Sequence, residues 1–450
     1  MHSISKYKRL SLITFALCLN FLIIFQLAGC SKTNDDKAEQ PVIISGVEYP
    51  VDTEQIILNE YDSDDYSAFS AFKKLHTLDI TALDISSQDF DNIRSQIGDN
   101  VNILWSVPLS SGKMPSNSSE LSFSGDISED DANLAKYFTE IKKLIISDSN
   151  VDNNLYTLIT DSKLNNPELQ LKCKVKAYGV TFKNSNELLD LNNVKIKDLD
   201  QLCLVIELFP NLTSIEMCNC GLSNEVMQGL REEYPQIKFV WMIKFLRFRV
   251  RTDIQVFSTL AGDYTRPGNS NTFAPLFKYC TELRALDIGH MALTDISEIR
   301  NLKKLHTLIL ADNYIEDISP LADLKELVYV EIFQNSIKDA SPLLELPKLE
   351  ELNLCFNPRL KNPTILTSIK TLKRLYISYC SLDQKEINAL ESGVSSDCEL
   401  NYTAQNCVFG GWRSNSPRNP KIREAFANWR IVKEYPTWDN IVYKNTIPKN

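Results

Sequence analysis

"LHTLILADNYIEDISPLADLKELVYVEIFQNSIKDASPL", residues 305–343, states one phrase twice. Leu305, Leu308, Leu310, Asn313, Ile315, Ile318 and Leu321 are answered 22 positions later by Leu327, Val330, Ile332, Asn335, Ile337, Ala340 and Leu343. A unit this short cannot bury its own apolar side chains, so copies must stack and cover one another. The same phrase starts at Leu283, Leu305, Leu327, Leu349 and Leu372, in steps of 22, 22, 22 and 23, with the extra residue near "NPRL" (357–360).

Each slot has a physical reason. The early apolar positions suit a short strand whose alternate side chains point inward. Asn at the ninth position can bond backbone groups as the chain turns, and Asn313, Asn335 and Asn357 would form a ladder. Ser319–Pro320 and Ser341–Pro342 fit a cap followed by proline at the first helical position, opening a turn on the opposite side. The pattern resembles the leucine-rich repeat family, in particular the 22-residue type of internalin-like bacterial surface proteins, with "DISPL" (317–321) as the diagnostic phrase. The resemblance implies an α/β solenoid with a curved parallel sheet on its concave face.

A longer repeat lies upstream. Segments 74–109, 140–175 and 211–243 share one plan, in which Leu75, Ile141 and Leu212 open the same phrase and a helix-like piece and a strand follow. The offsets are 66, 71 and then 71 to Leu283. Residues 50–274 are therefore expected to form irregular strand-plus-helix repeats of about 70 residues, and 275–393 the regular array. "FPNLTSIEM", "LREEYPQIKFVW", "YCTELRALDIGH" and "GGWRSNSPRNPKIREAF" (410–426) resemble a clostridial and related Firmicutes lineage of such lipoproteins. Beyond 393 the pattern stops, and 394–450 reads as a non-repeating cap in which Trp412, Trp429 and Trp438 cover the open end of the stack. A carbohydrate-stacking role for these rings stays open.

The amino terminus carries Lys6, Lys8 and Arg9, an apolar run from Leu10 to Ala28, and "LAGC" at 27–30. That order is the pattern of a secretory signal over 1–29. The tetrapeptide resembles the lipobox of bacterial lipoproteins, which implies lipidation of Cys30, a flexible tether over 30–49 and an extracytoplasmic, membrane-anchored body at the cell surface. Removing 1–29 deletes three bases and no acids, taking the formal charge from −10 to −13. Acids outnumber bases 58 to 48 with no basic block, which speaks against a nucleic-acid partner. Of eleven cysteines, nine remain after Cys18 and Cys30 are set aside, an odd number that argues against a complete disulfide framework and suits a weakly oxidising or anaerobic habitat.

No nucleophile–base arrangement, zincin, hydrolase or phosphate-loop motif occurs, and the acidic stretches at 62–67 and 128–133 lack the pattern of a calcium loop. The sequence therefore implies no catalysis, no metal and no cofactor. What remains is a surface. In the repeat register Tyr329, Glu331, Phe333, Phe356, Arg374, Tyr376 and Tyr379 project onto the concave face as an aromatic column among charges. Exposed aromatic clusters with polar rims mark recognition sites, so these residues are the expected contact with a protein, or alternatively a glycan. The competing expectation is that the carboxy-terminal segment folds back over the column. Two other function classes stay open: an architectural, self-associating envelope protein, and an enzyme whose site lies in the carboxy-terminal segment.

Overall fold

In the computed structural model the strands fall where the repeat register puts them. The structure describes residues 40–97, 100–245, 248–259, 270–403, 409–428, 434–438 and 441–444. The signal segment, Cys30, Cys407 and Trp429 lie outside those residues. Among the described residues no helix is long and apolar enough to cross a membrane.

Ala285–Asp287, Thr307–Ile309, Tyr329–Glu331, Glu351–Asn353 and Arg374–Tyr376 are parallel neighbours in one sheet. The middle residues Leu286, Leu308, Val330, Leu352 and Leu375 are in register and fully buried, so a one-residue slip would turn every one of them to the other face. Val256–Ser258 joins before this set and Glu399–Asn401 after it, giving seven strands. The repeat therefore extends one strand beyond each end of the regular phrase.

Behind each strand the chain turns and its asparagine fills with backbone bonds. Asn335 Oδ1 accepts from the Ile315 N–H at 3.1 Å, and its Nδ2 donates to the carbonyls of Leu310 at 3.0 Å and Ile332 at 3.2 Å. Asn313 and Asn357 bond the equivalent carbonyls one repeat before and after. Where a cysteine holds the slot, its thiol serves the same acceptor: Cys220 donates to Leu191 O at 3.0 Å and Cys380 to Leu354 O at 3.2 Å. The return side uses short 3-10 turns at Ser319–Asp323 and Ser341–Glu345. The expected serine caps are corrected here. Ser319 and Ser341 lie inside the turns, and the carboxylates of Asp317 and Asp339 accept their N–H groups at 2.8 and 2.9 Å.

Upstream, the long repeats take the expected strand–helix form with the expected spacing. Strands Thr77–Ile80, Lys143–Asn150 and Ser214–Glu216 start 66 and 71 residues apart and are each followed by a helix: Ser87–Gln96, Asn153–Asn165 and Asn224–Glu233. Ser86, Asp152 and Ser223 cap these helices by accepting N–H bonds, which ends the preceding strand segment at a fixed point. The chain divides into two compact units between Ser106 and Val107, within the strand Asn102–Leu109. In the first unit Gln55–Ile57 and Thr77–Ile80 pair in parallel, and Phe90 stacks on Trp105 at 4.5 Å. In the second, Glu120–Ser124, Lys143–Asn150 and Gln170–Ala177 form one parallel set and Leu188–Asp190, Ser214–Glu216 and Lys238–Val240 another. The long repeats thus keep separate small sheets, while the regular repeats share one.

Candidate functional site

Alternation along each strand sends the first and third residues to the face opposite the buried middle leucines. That face carries Val256, Ala285, Asp287, Thr307, Ile309, Tyr329, Glu331, Glu351, Asn353, Arg374 and Tyr376. Phe333 and Cys355 follow two residues after their strands. All are buried. The expectation that the aromatic column is open is corrected: Tyr329, Glu331, Phe333, Arg374 and Tyr376 lie beneath the chain's own residues 411–426, the arrangement that the competing expectation describes. Their burial has a physical cause. Three phenyl-bearing side chains and more acids than the Arg374 and Lys373 cations can balance leave apolar area and charge uncovered, and the carboxy-terminal segment supplies a matching ring and matching cations.

Trp412 is the centre of this contact. Its side chain is wholly buried, with its ring centroid 5.4 Å from that of Tyr329, 5.0 Å from that of Tyr376 and 4.5 Å from the Arg374 guanidinium. Its Nε1–H donates to Glu331 Oε1 at 2.9 Å. Arg413 Nε donates to the same oxygen at 3.0 Å, a second guanidinium N–H meets Oε2, and the Tyr329 hydroxyl completes the set. Glu331, with no exposed surface, is thus a charge held by donors on all sides. Arg374 joins floor to segment: its guanidinium reaches Glu351 at 2.7 Å, Glu399 at 2.9 Å and the backbone carbonyl of Trp412 at 2.8 Å. Arg418 pairs with Glu350 and, at 3.4 Å, with Glu351.

The helix Asn419–Asn428 continues across the sheet. Its Ile422 and Ala425, one turn apart, enter the same buried cluster as Val256, Ala285, Ile309 and Ala311, with Phe426 packed at the edge. Trp412 therefore covers the sheet face rather than the open end of the stack, against expectation. The side chain of Trp438 lies outside what the structure describes.

The enclosure shifts titrations. Burial raises the Asp287 carboxyl to about 6, although the Gly289 N–H and Ser258 hydroxyl, both at 3.1 Å, and the Arg413 charge pull it back. Burial also lifts the Tyr329 hydroxyl well above its usual range, with the Glu331 carboxylate adding to it. Arg413 is held more firmly protonated than usual: burial opposes this, and the Glu331 carboxylate outweighs it.

A second column stays accessible along the rim. His290, Asp312, Gln334, Phe356 and Tyr379 all adopt left-handed backbone, with φ between 55° and 58°. His290 Nδ1 lies 2.6 Å from Asp312 Oδ2, and Gln334 Nε2 donates to Asp312 Oδ1 at 2.8 Å. Phe356 and Tyr379 stack at 4.4 Å and 13°; Phe356 is half-buried and Tyr379 is 53% exposed. With Pro358 and Ser381 they border an open, mainly apolar cavity of about 590 Å³. Of the seven residues expected to meet a partner, these two remain within its reach.

Among the described residues no three His, Cys, Asp or Glu side chains are placed to hold a metal. Cys218 and Cys220 are buried thiols, pushed up by burial to about 12 and about 11. Sequence reasoning put Asp287 on this face without giving it a role, and missed Arg413, Arg418 and Ile422 as parts of the site. The available signal was charge: Glu331, Glu350 and Glu351 in the repeats face a carboxy-terminal stretch with Arg413 and Arg418 beside a tryptophan.

A family model described as leucine-rich repeats in two copies matches residues 281–323. No curated protein sequence matches the chain. Among solved structures, an internalin (inlF) from Listeria monocytogenes is similar at 16% identity over 66% of this chain and 87% of its own, with a TM-score of 0.26. A leucine-rich repeat protein from Leptospira interrogans is similar at 15% identity over 74% of this chain and 92% of its own, with a TM-score of 0.26. The Arabidopsis receptor kinase HAESA, solved with the peptide hormone IDA and the co-receptor SERK1, is similar at 15% identity over 69% of this chain and 35% of its own, with a TM-score of 0.22. The fold of this chain is that of a leucine-rich repeat protein: parallel strands in register, a buried leucine in each, and an asparagine ladder behind them.

Proposed function

We propose that the chain is a lipid-anchored, extracytoplasmic leucine-rich repeat protein that binds a protein partner on the sheet side of its regular repeats and performs no catalysis. The observation that carries this reading is the Phe356–Tyr379 stack. Two aromatic rings in parallel contact, one of them half exposed, border an apolar cavity on the rim of a face already built for contact. Exposed aromatics of this kind bury much area at low entropic cost when a partner arrives. Anchoring rests on "LAGC" and Cys30 in the sequence.

The test uses the chain from Ser31, without lipid, as bait on envelope and secreted extracts, beside a Phe356→Ala/Tyr379→Asp variant. Tyr379 is 53% exposed and Phe356 packs only at the edge of the buried cluster, so the variant should stay folded and melt modestly below the parent. A partner captured by the first and lost by the second supports the reading. Retained capture after enzymatic deglycosylation of the extract assigns the partner as protein rather than glycan. No partner, with concentration-dependent self-association instead, would favour the architectural reading. For the anchor, Cys30→Ala should move the protein from the membrane fraction to the medium.

A further inference from the structure

The sheet face is already occupied, and its occupant has the character of a ligand. The seven-stranded sheet is complete without it: every pairing lies between Val256 and Asn401, and residues 411–428 contribute no strand. The segment is docked on the face, not woven into it. Its contact is also unlike a simple hydrophobic cap. One tryptophan is sunk between two tyrosines, flanked by two arginines that meet carboxylates, which is the tryptophan-and-arginine composition of binding hot spots. The floor is charged in a way that calls for such an occupant. Glu331, Glu350, Glu351 and Glu399 bring four negative charges against Arg374 and Lys373 from the repeats themselves, and Arg413 and Arg418 supply the two positive charges that balance them.

We propose that this face is a peptide-binding site for a segment with Trp-Arg followed by a second Arg five residues on, that residues 411–426 fill it in cis, and that a partner segment of the same chemistry fills it in trans. The inference rests on the binding reading above and names the partner class for the same side of the repeats. Selection follows from the parts. Glu331 requires the indole N–H and the adjacent guanidinium together, so Phe-Arg or Trp-Lys leaves a buried carboxylate short of donors. Glu350 and Glu351 then set the distance to the second cation. A tethered occupant holds its site at an effective concentration on the order of millimolar, so the intact chain admits an outside peptide poorly.

The test uses the full chain with residues 404–408 replaced by a specific protease site and cut after folding. The probe is a fluorescent synthetic peptide of residues 409–428. The expected result is exchange: labelled peptide enters as the cut fragment leaves, while the main unfolding transition of the body is kept. Trp412→Ala or Arg413→Glu in the peptide, or Glu331→Gln in the body, should each weaken entry by about 10-fold or more. Three results would overturn the proposal: a fragment that leaves while the folded body refuses the peptide, entry indifferent to Trp412 and Arg413, or a body that either unfolds on release or never releases. Capture of a partner through Phe356 and Tyr379 without peptide exchange would leave the binding reading standing and remove this one.

Discussion

Trp412→Ala should release the carboxy-terminal segment without unfolding the repeats. A buried tryptophan removes about 200 Å² from water, which at about 25 cal/mol per Å² corresponds to about 5 kcal/mol. Its N–H bond to the Glu331 carboxylate adds about 1.5–3 kcal/mol. Partial collapse of the vacated site offsets part of this, and core Trp→Ala changes cost about 3–5 kcal/mol. The docking equilibrium should therefore fall by roughly 10²–10⁴-fold. The loss falls on docking because strands from Val256 to Asn401 pair among themselves. Amide hydrogen exchange is the assay. Protection over the helix Asn419–Asn428 should collapse, dye binding to Tyr329, Phe333 and Tyr376 should appear, and the main unfolding transition should move little. Unchanged protection in that helix, or its loss together with the whole repeat array, would refute the reasoning.

Other outcomes follow from the same geometry. Asn335→Ala strands the Ile315 N–H inside the stack, while the Leu310 and Ile332 carbonyls keep their bonds from Asn313 and Asn357, so at about 1–3 kcal/mol for a stranded group it should lower stability by about that amount in urea titration. Asp287 is held near 6 against an ordinary 3.8, so the folded state binds more protons than the unfolded chain between those values. Its contribution to stability is present below about pH 4 and is lost as pH rises through about 6. The stability of Asp287→Asn relative to the parent should therefore increase from pH 4 to pH 7; a flat difference would contradict the assignment. Among the described residues the buried thiols Cys173, Cys218, Cys220, Cys280, Cys355 and Cys380 should resist a thiol reagent at pH 8 and react when urea opens the fold. Phe333→Asp, which an open face would tolerate, should destabilise the contact because it places a carboxylate in a buried apolar cluster.

The repeat array was legible because its determinants are local. Leu286, Leu308, Val330, Leu352 and Leu375 recur at the strand centre, and Asn313, Asn335 and Asn357 recur at the turn, so the spacing alone places strands and ladder. The 66- and 71-residue offsets placed the long repeats for the same reason. Two local points were misread. The turn caps belong to Asp317 and Asp339 because a carboxylate two residues back reaches the Ser N–H, whereas the serines already sit inside the turn. The seventh strand, Glu399–Asn401, falls in the stretch expected as cap because its phrase lacks the leucine spacing.

The site was far less legible. Glu331 and Arg413 are 82 residues apart, and no periodicity connects them. The register put Tyr329, Phe333 and Tyr376 on the correct face of the sheet, yet a face is open or closed by what lies above it, and that is a non-local property. Phe356 lies at the edge of the buried cluster and Tyr379 is 53% exposed. Both outcomes for the column were open from sequence, and charge complementarity between the acidic floor and the Trp412–Arg413–Arg418 stretch was the feature that separated them.

The most direct test of the central claim is a double-mutant cycle on Glu331→Gln and Arg413→Gln, read as the free energy of opening of the helix Asn419–Asn428 by hydrogen exchange. Groups in contact couple by about 0.5–3 kcal/mol, and close charge pairs reach further. A buried carboxylate and a doubly bonded guanidinium should lie at or above the upper half of that range. Strict additivity, within about 0.5 kcal/mol, would mean that the segment does not rest on the acidic floor, and the account of the occupied face would fall.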